Sequence, residues 1–141
     1  IKSFVKIQYN QRGSSAVGLM SATNLEIIAS DSIDYIFTDP PFGSNLMYSE
    51  LSSIWESFIK VSTNNKQEAI VNKSQSKSFL EYQGLMLNSL KEYYRLLKPG
   101  KWMTVEFSNT SAAVWNGIQT AIQNAGFIIS NVSGSKPPFS K

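Results

Sequence analysis

The 141-residue chain is 42% hydrophobic and 16% charged, the balance of a folded chain and not of a disordered one. It has no cysteine and no histidine, which excludes disulfides, thiolate metal sites, zinc centres and a histidine general base, so no metal is expected. A net charge of +3 admits a polyanionic partner without demanding one; no apolar run approaches the roughly 20 residues of a membrane span and no signal peptide is visible, so the expected setting is cytoplasmic, with no membrane partner.

The length suits one domain, residues 1–141. A start at Ile1 and an abrupt stop at Lys141 read as a piece of a longer protein. Residues 3–9 alternate well enough for a strand, and Asn10 to Ser15 has loop chemistry. Ser21-Ala22-Thr23-Asn24 leads into a short helical turn at Leu25 to Ala29, where Asn24 suits a cap. Ile33, Tyr35, Ile36 and Phe37 are β-branched or aromatic and form a short run that predicts a buried strand. That run ends at Asp39-Pro40-Pro41. Neither proline can donate a ladder hydrogen bond, and Pro40 pushes Asp39 towards extended backbone. A carboxylate is thereby held at the carboxyl end of a strand, with Phe42 three residues on. In open α/β sheets ligands sit at that end. Asp39 also reads simply as a turn residue or cap ending the strand.

Gly43 and Ser44 make a turn. Leu51, Ile54, Trp55, Phe58 and Ile59 then follow helical spacing, predicting an amphipathic helix over 48–60 with Trp55 and Phe58 in the core. Residues 62–77 are polar and without sustained periodicity, a long loop in which Lys66, Lys73 and Lys77 either meet phosphates or are plainly solvated. Ser78 to Leu97 carries the stripe Phe79, Tyr82, Met86, Leu90, Tyr93 and Leu97, and Lys98-Pro99-Gly100 is expected to stop that helix. A strand is predicted over 101–107. Glu106, Ser108 and Asn109 at its end are either substrate contacts beside Asp39 or, within 108–111, caps of the next helix. That helix buries Val114, Trp115, Ile118, Ala121, Ile122 and Ala125 and stops at Gly126; Phe127 to Val132 reads as a last strand, and Ser133 to Lys141 as loop or linker. The predicted architecture is half of a doubly wound α/β unit, an open, mostly parallel sheet with flanking helices.

Asp39-Pro40-Pro41-Phe42 resembles motif IV of the amino-group methyltransferases, enzymes that use S-adenosyl-L-methionine to methylate N6 of adenine or N4 of cytosine in DNA. The likeness extends from Asp34 to Ser78. In one large subgroup of DNA methylases Asp-Pro-Pro-Phe-Gly is followed by a Tyr-Ser-Glu-Leu helix bearing a tryptophan and by a Thr-Asn-Asn-Lys loop. Leu96-Leu97-Lys98-Pro99-Gly100 before a strand is similar to Rossmann-like (class I) methyltransferases generally, so the resemblance implies a partial fold of that class.

The resemblance implies that Asp39 and the carbonyl of Pro40 accept the two hydrogens of an exocyclic amine, freeing the nitrogen lone pair. Phe42 then stacks on a base flipped from the duplex. It implies DNA as partner; Asn45 and Tyr48, by their nearness to the turn, are candidates to line the base pocket, and Lys66 and Lys73 of the polar loop to meet phosphates. Asn24 and Asp39 fall on the cofactor side, Asn24 where the family carries Gly-Asp-Ala near the cofactor's adenine. The Phe-x-Gly-x-Gly turn that holds the methionine end of that cofactor is not in this sequence. An upstream segment or a partner chain is expected to supply it, leaving this fragment inactive alone and a weak binder of cofactor. A bare edge on the Asp39 strand predicts self-association or strand pairing there, with Ile1 to Tyr9 as one candidate. A restriction-modification or orphan setting is expected, with N6-adenine favoured over N4-cytosine. The rivals are an RNA guanine-N2 methyltransferase and a non-catalytic nucleic-acid-binding or assembly subunit that kept the fold. Protein-glutamine methylases generally carry Asn-Pro-Pro-Tyr, which the aspartate argues against.

Overall fold

The structure, a computed structural model, describes residues 4–9, 13–18, 20–44 and 46–133. In chain order the elements are β1 (Phe4–Tyr9), β2 (Gly13–Gly18), β3 (Ile33–Thr38), α1 (Tyr48–Ile59), a 3-10 turn (Asn65–Gln67), α2 (Phe79–Leu96), β4 (Leu97–Val105) and α3 (Ala112–Asn124). The architecture is α/β, with a parallel strand pair of the Rossmann-like methyltransferase kind and helices packed on one of its faces.

The first strand falls where the alternation predicts it, but Gly13 to Ser15 are not loop. They belong to β2, which pairs antiparallel with β1 from Phe4↔Gly18 to Tyr9↔Gly13. Gly13-Ser-Ser-Ala-Val-Gly is too small and flexible to announce a strand, and the ladder with β1 imposes the conformation. β1 and β2 form a sheet of their own, so among the described residues Phe4–Tyr9, one candidate for the open edge of β3, does not pair with it.

β3 pairs parallel with β4, Tyr35↔Trp102 through Thr38↔Val105. The ladder shifts register between Ile33 and Tyr35, whose partners are Leu97 and Trp102. Lys98, Pro99 and Gly100 fall in that irregularity, so they lie within β4 and not in a break between helix and strand. Proline has no ladder N–H to lose there, and Gly100 takes a positive φ of 75°. One face of the pair carries Ile36 and Met103, and Met103 packs with Leu90, Ala121 and Ala125. The opposite face carries Tyr35, Phe37 and Trp102, all exposed.

α2 starts from a full capping box, Ser78 accepting from the Glu81 N–H and Glu81 from the Ser78 N–H. Its stripe buries Tyr82, Met86 and Leu90 against Val114, Ile118, Ala121 and Ala125 along α3. α3 ends where predicted, at Gly126, whose φ of 107° few other residues adopt.

Two apolar segments depart from expectation. α1 forms where its spacing says, yet buries nothing: Trp55 is 73% and Phe58 77% exposed, so neither is core. Periodicity makes a stripe, but burial needs a facing element, and the described residues meet only the polar side of α1. There Ser49 bonds Glu68, Glu50 accepts from Gln75, and Glu56 accepts from Thr63. Likewise no strand forms over 127–132. The Phe127 N–H turns back to the Ile122 carbonyl and its ring packs on Tyr94, while Ile128 is 92% exposed with no ladder partner.

Candidate active site

Asp39 directly follows β3, at the carboxyl rim of the parallel pair, where the Glu106 N–H donates to the Thr38 carbonyl at 2.9 Å. Its carboxylate is exposed, and among the described residues it accepts no hydrogen bond and caps no helix. The reading of Asp39 as a mere turn or cap residue therefore finds no donor here. Pro40, Pro41 and Phe42 are half-buried, and Gly43 is buried with φ 88°.

What holds this turn comes from elsewhere in the chain. The Pro41 carbonyl accepts from the Tyr82 hydroxyl of α2 at 2.7 Å. The Phe42 carbonyl accepts from Asn109 Nδ2, between β4 and α3. The Gly43 carbonyl accepts from the Val71 N–H at 3.2 Å, beside the parallel bridge of Gly43 with Ile70. Three successive carbonyls thus have donors from three separate segments. The Pro40 carbonyl, like the Asp39 carboxylate, has none among the described residues.

The Phe42 ring meets Phe107 edge-to-face at 5.4 Å, and Phe107 meets Trp115 the same way at 5.2 Å. Trp115 Nε1 donates to the Asn109 carbonyl at 2.8 Å, closing the cluster. A T-shaped pair occupies at most one face of each ring, so Phe107 leaves one face of Phe42 uncovered.

Tyr82 is 1% exposed, and burial pushes its phenol well above the usual value; the nearby Tyr48 hydroxyl adds to the shift. Tyr48 is the first residue of α1 and is half-buried. Lys66 lies on the 3-10 turn and lines a groove of about 330 Å³ with Tyr82, Lys77 and Glu81. Lys73 is exposed in the turn that the Asn72–Lys77 bridge closes. Lys77 differs from both, because its ammonium donates to the Asn65 and Glu68 carbonyls and so ties down the loop. Asn45 lies outside the described residues.

Asn24 is not brought to Asp39. The neighbouring Leu25 N–H bonds Glu92 and its carbonyl accepts from Arg95, near the end of α2, where Arg95 and Leu96 also receive the N–H groups of Asp31 and Ser32. Asn24 therefore belongs to the amino rim of the strands, and the six residues of β3, roughly 20 Å of extended chain, separate that rim from Asp39. The expectation of Asn24 beside Asp39 on the cofactor side therefore gains no support from its place in the fold. The described residues thus do not fit a cradle for S-adenosyl-L-methionine: the turn at 39–43 presents acceptors for an amine, and the polar segment expected on the cofactor's adenine sits at the opposite rim.

Two residues that organise the turn were not singled out for that role. Tyr82 reads in sequence as one more member of an apolar stripe. The signal was its hydroxyl, since a buried phenol needs a hydrogen-bond partner. Asn109 reads in sequence as a substrate contact or a cap. It faces the Asp39 turn with its Nδ2 and takes the Ser111 N–H at 2.7 Å with its Oδ1.

A parallel strand pair with helices on one face and an exposed carboxylate at its carboxyl rim is consistent with an α/β unit of the Rossmann-like methyltransferase class. The chain belongs to the DNA methylase family of N6/N4 methyltransferases, whose model matches residues 33–140. It carries a DNA amino-methyltransferase domain. No curated protein and no solved structure gives a significant match. Among the described residues no helix is long and apolar enough to cross a membrane, and no group of three or more acidic side chains is placed to hold a metal ion.

Proposed function

We propose that this domain activates the exocyclic amine of a base flipped out of DNA, N6 of adenine in preference to N4 of cytosine, for methylation with S-adenosyl-L-methionine as donor. The amine nitrogen is a poor nucleophile because its lone pair is delocalised into the ring. Asp39 accepts one N–H and the Pro40 carbonyl the other, which draws the nitrogen towards tetrahedral geometry and localises the lone pair. S-adenosyl-L-methionine, when bound, would supply the methyl carbon by giving up its bond to the sulfonium sulfur, and Asp39 would be the acceptor for the proton that the nitrogen sheds. Phe42 stacks on the base, Tyr48 borders it, and Lys66 and Lys73 meet backbone phosphates.

The observation that carries this reading is the distribution of donors along one turn. The carbonyls of Pro41, Phe42 and Gly43 are satisfied, while the Asp39 carboxylate and the Pro40 carbonyl stay open at the rim. The two open acceptors stand on adjacent residues and equal in number the hydrogens of an NH₂ group. The test is methyl transfer to unmethylated DNA by the full-length protein and its Asp39→Ala variant, with mass spectrometry of the nucleosides to distinguish N6-methyladenine from N4-methylcytosine. Transfer unaffected by Asp39→Ala removes the mechanism. Calorimetry on the isolated 141-residue chain is expected to show only weak binding of S-adenosyl-L-methionine, and micromolar affinity would show that the chain does form the donor's cradle.

A further inference from the structure

We propose that Tyr82 and Asn109 are positioning residues for the amine-activating pair: by gripping the carbonyls of Pro41 and Phe42 they aim the Pro40 carbonyl and the Asp39 carboxylate at the substrate. The inference rests on the reading of Asp39 and Pro40 given above.

The argument starts from what the turn lacks. Neither Pro40 nor Pro41 has an N–H, so the segment cannot fix itself through its own backbone donors at those positions. Its peptide planes must be oriented from outside. The Tyr82 hydroxyl fixes the plane that carries the Pro41 carbonyl. Between that plane and the one carrying the Pro40 carbonyl stand only the two torsions of Pro41, and the ring locks one of them near −65°. Gripping the Pro41 carbonyl therefore leaves the Pro40 carbonyl a single soft torsion, ψ of Pro41. Asn109 repeats the grip one residue later, on the Phe42 carbonyl. The far end of the same amide takes the Ser111 N–H, which registers the start of α3 to the turn.

The Tyr82 donor is durable. The ring is 1% exposed, seated with Met86, Val114 and Ile118 and stacked on Phe79 at 6.2 Å. Burial pushes the phenol's pKa upward, which favours the protonated, donating form. Phenylalanine would fill the same volume, so packing alone does not call for the oxygen.

The experiment compares Tyr82→Phe, Asn109→Ala and Asp39→Ala in the full-length protein on unmethylated DNA, with kcat and KM for DNA, melting temperature, and hydrogen exchange of the amides of residues 42–44. Tyr82→Phe is expected to lower kcat by about 10- to 100-fold with KM for DNA within about twofold, the signature of misplaced reacting groups. Exchange at 42–44 should quicken while the melting temperature stays within a few degrees. Asn109→Ala should act in the same direction. An unchanged kcat and unchanged exchange in both variants overturns the proposal, as does a loss of kcat that merely tracks a collapse in melting temperature. Activity abolished by Asp39→Ala but kept by both other variants sinks the positioning role alone. Activity kept by Asp39→Ala sinks the reading beneath it.

Discussion

The two ends of β3 use polar groups in opposite ways. At the amino end they are spent on one another. Arg95 donates to Glu92, to the Ser30 hydroxyl and to the carbonyls of Leu25 and Ile28, and the Asp31 and Ser32 N–H groups bond the carbonyls of Arg95 and Leu96. Asp34 pairs with Lys98 and Lys101 at 3.0 and 3.5 Å. At the carboxyl end the backbone is held as firmly, by Tyr82, Asn109 and Val71, yet two strong acceptors remain open. A rim whose groups satisfy each other is structural. A rim that is held from outside and still has acceptors open among the described residues is the one suited to a ligand.

That contrast is sharpest at Asp39. Replacing it with alanine should lower methyl transfer by about 10²–10⁴-fold while leaving thermal stability nearly unchanged, because an exposed side chain without partners has little to lose on truncation. Paired activity and melting measurements decide this, and a large stability loss would assign Asp39 to the fold. Gly43→Ala should do the reverse in part. At φ 88° a Cβ costs about 1–2 kcal/mol, although the nearest atoms, on Asn109 and Val114, are 3.7 Å away and leave it room. Denaturant unfolding should read that cost, with activity falling as the turn relaxes.

At the opposite rim, Arg95→Met should lower the melting temperature without altering kcat per folded molecule; a selective kcat defect would break the division between the rims. Acid should weaken the same rim. Arg95 beside Glu92 and Lys98 beside Asp34 hold these carboxyls below their ordinary values of 4.5 and 3.8. A depressed folded value stabilises above the unfolded one and is lost as pH falls, so the melting temperature should be level at neutral pH and decline from about pH 5 downwards. Smallest of all, Lys66→Ala and Lys73→Ala should each reduce the salt dependence of DNA binding by about one unit of slope, with kcat at saturating DNA unchanged.

Much of this was legible where local chemistry decides. The apolar run before Asp39, the Ser78 and Glu81 pair ahead of α2, and the glycine after α3 each specify their element by themselves. So did the Asp-Pro-Pro-Phe turn, because proline stiffness is a property of the residue. What escaped depends on who stands opposite. The stripe of α1 is as regular as that of α2, but only α2 meets α3. Ile128 and Ile129 favour a strand and have no ladder to join. Asn24 resembled a family position in outline, and its place at the wrong rim follows from Glu92 and Arg95, some 70 residues away. The grip of Tyr82 and Asn109 on the turn was hidden for the same reason, since it exists only once β4 has been laid alongside β3.

The ladder of Phe42, Phe107 and Trp115 has a practical corollary. Of the three tryptophans, Trp55 and Trp102 are largely in water, whereas Trp115 is half-buried at the end of that ladder. Replacing the two outer indoles with phenylalanine would leave Trp115 as the one indole of these 141 residues, reading the polarity next to Phe107 when excited selectively over tyrosine. Docking of a nucleobase against Phe42 would then register as a change in emission, giving the domain an intrinsic optical gauge of occupancy that needs no labelled DNA and no turnover.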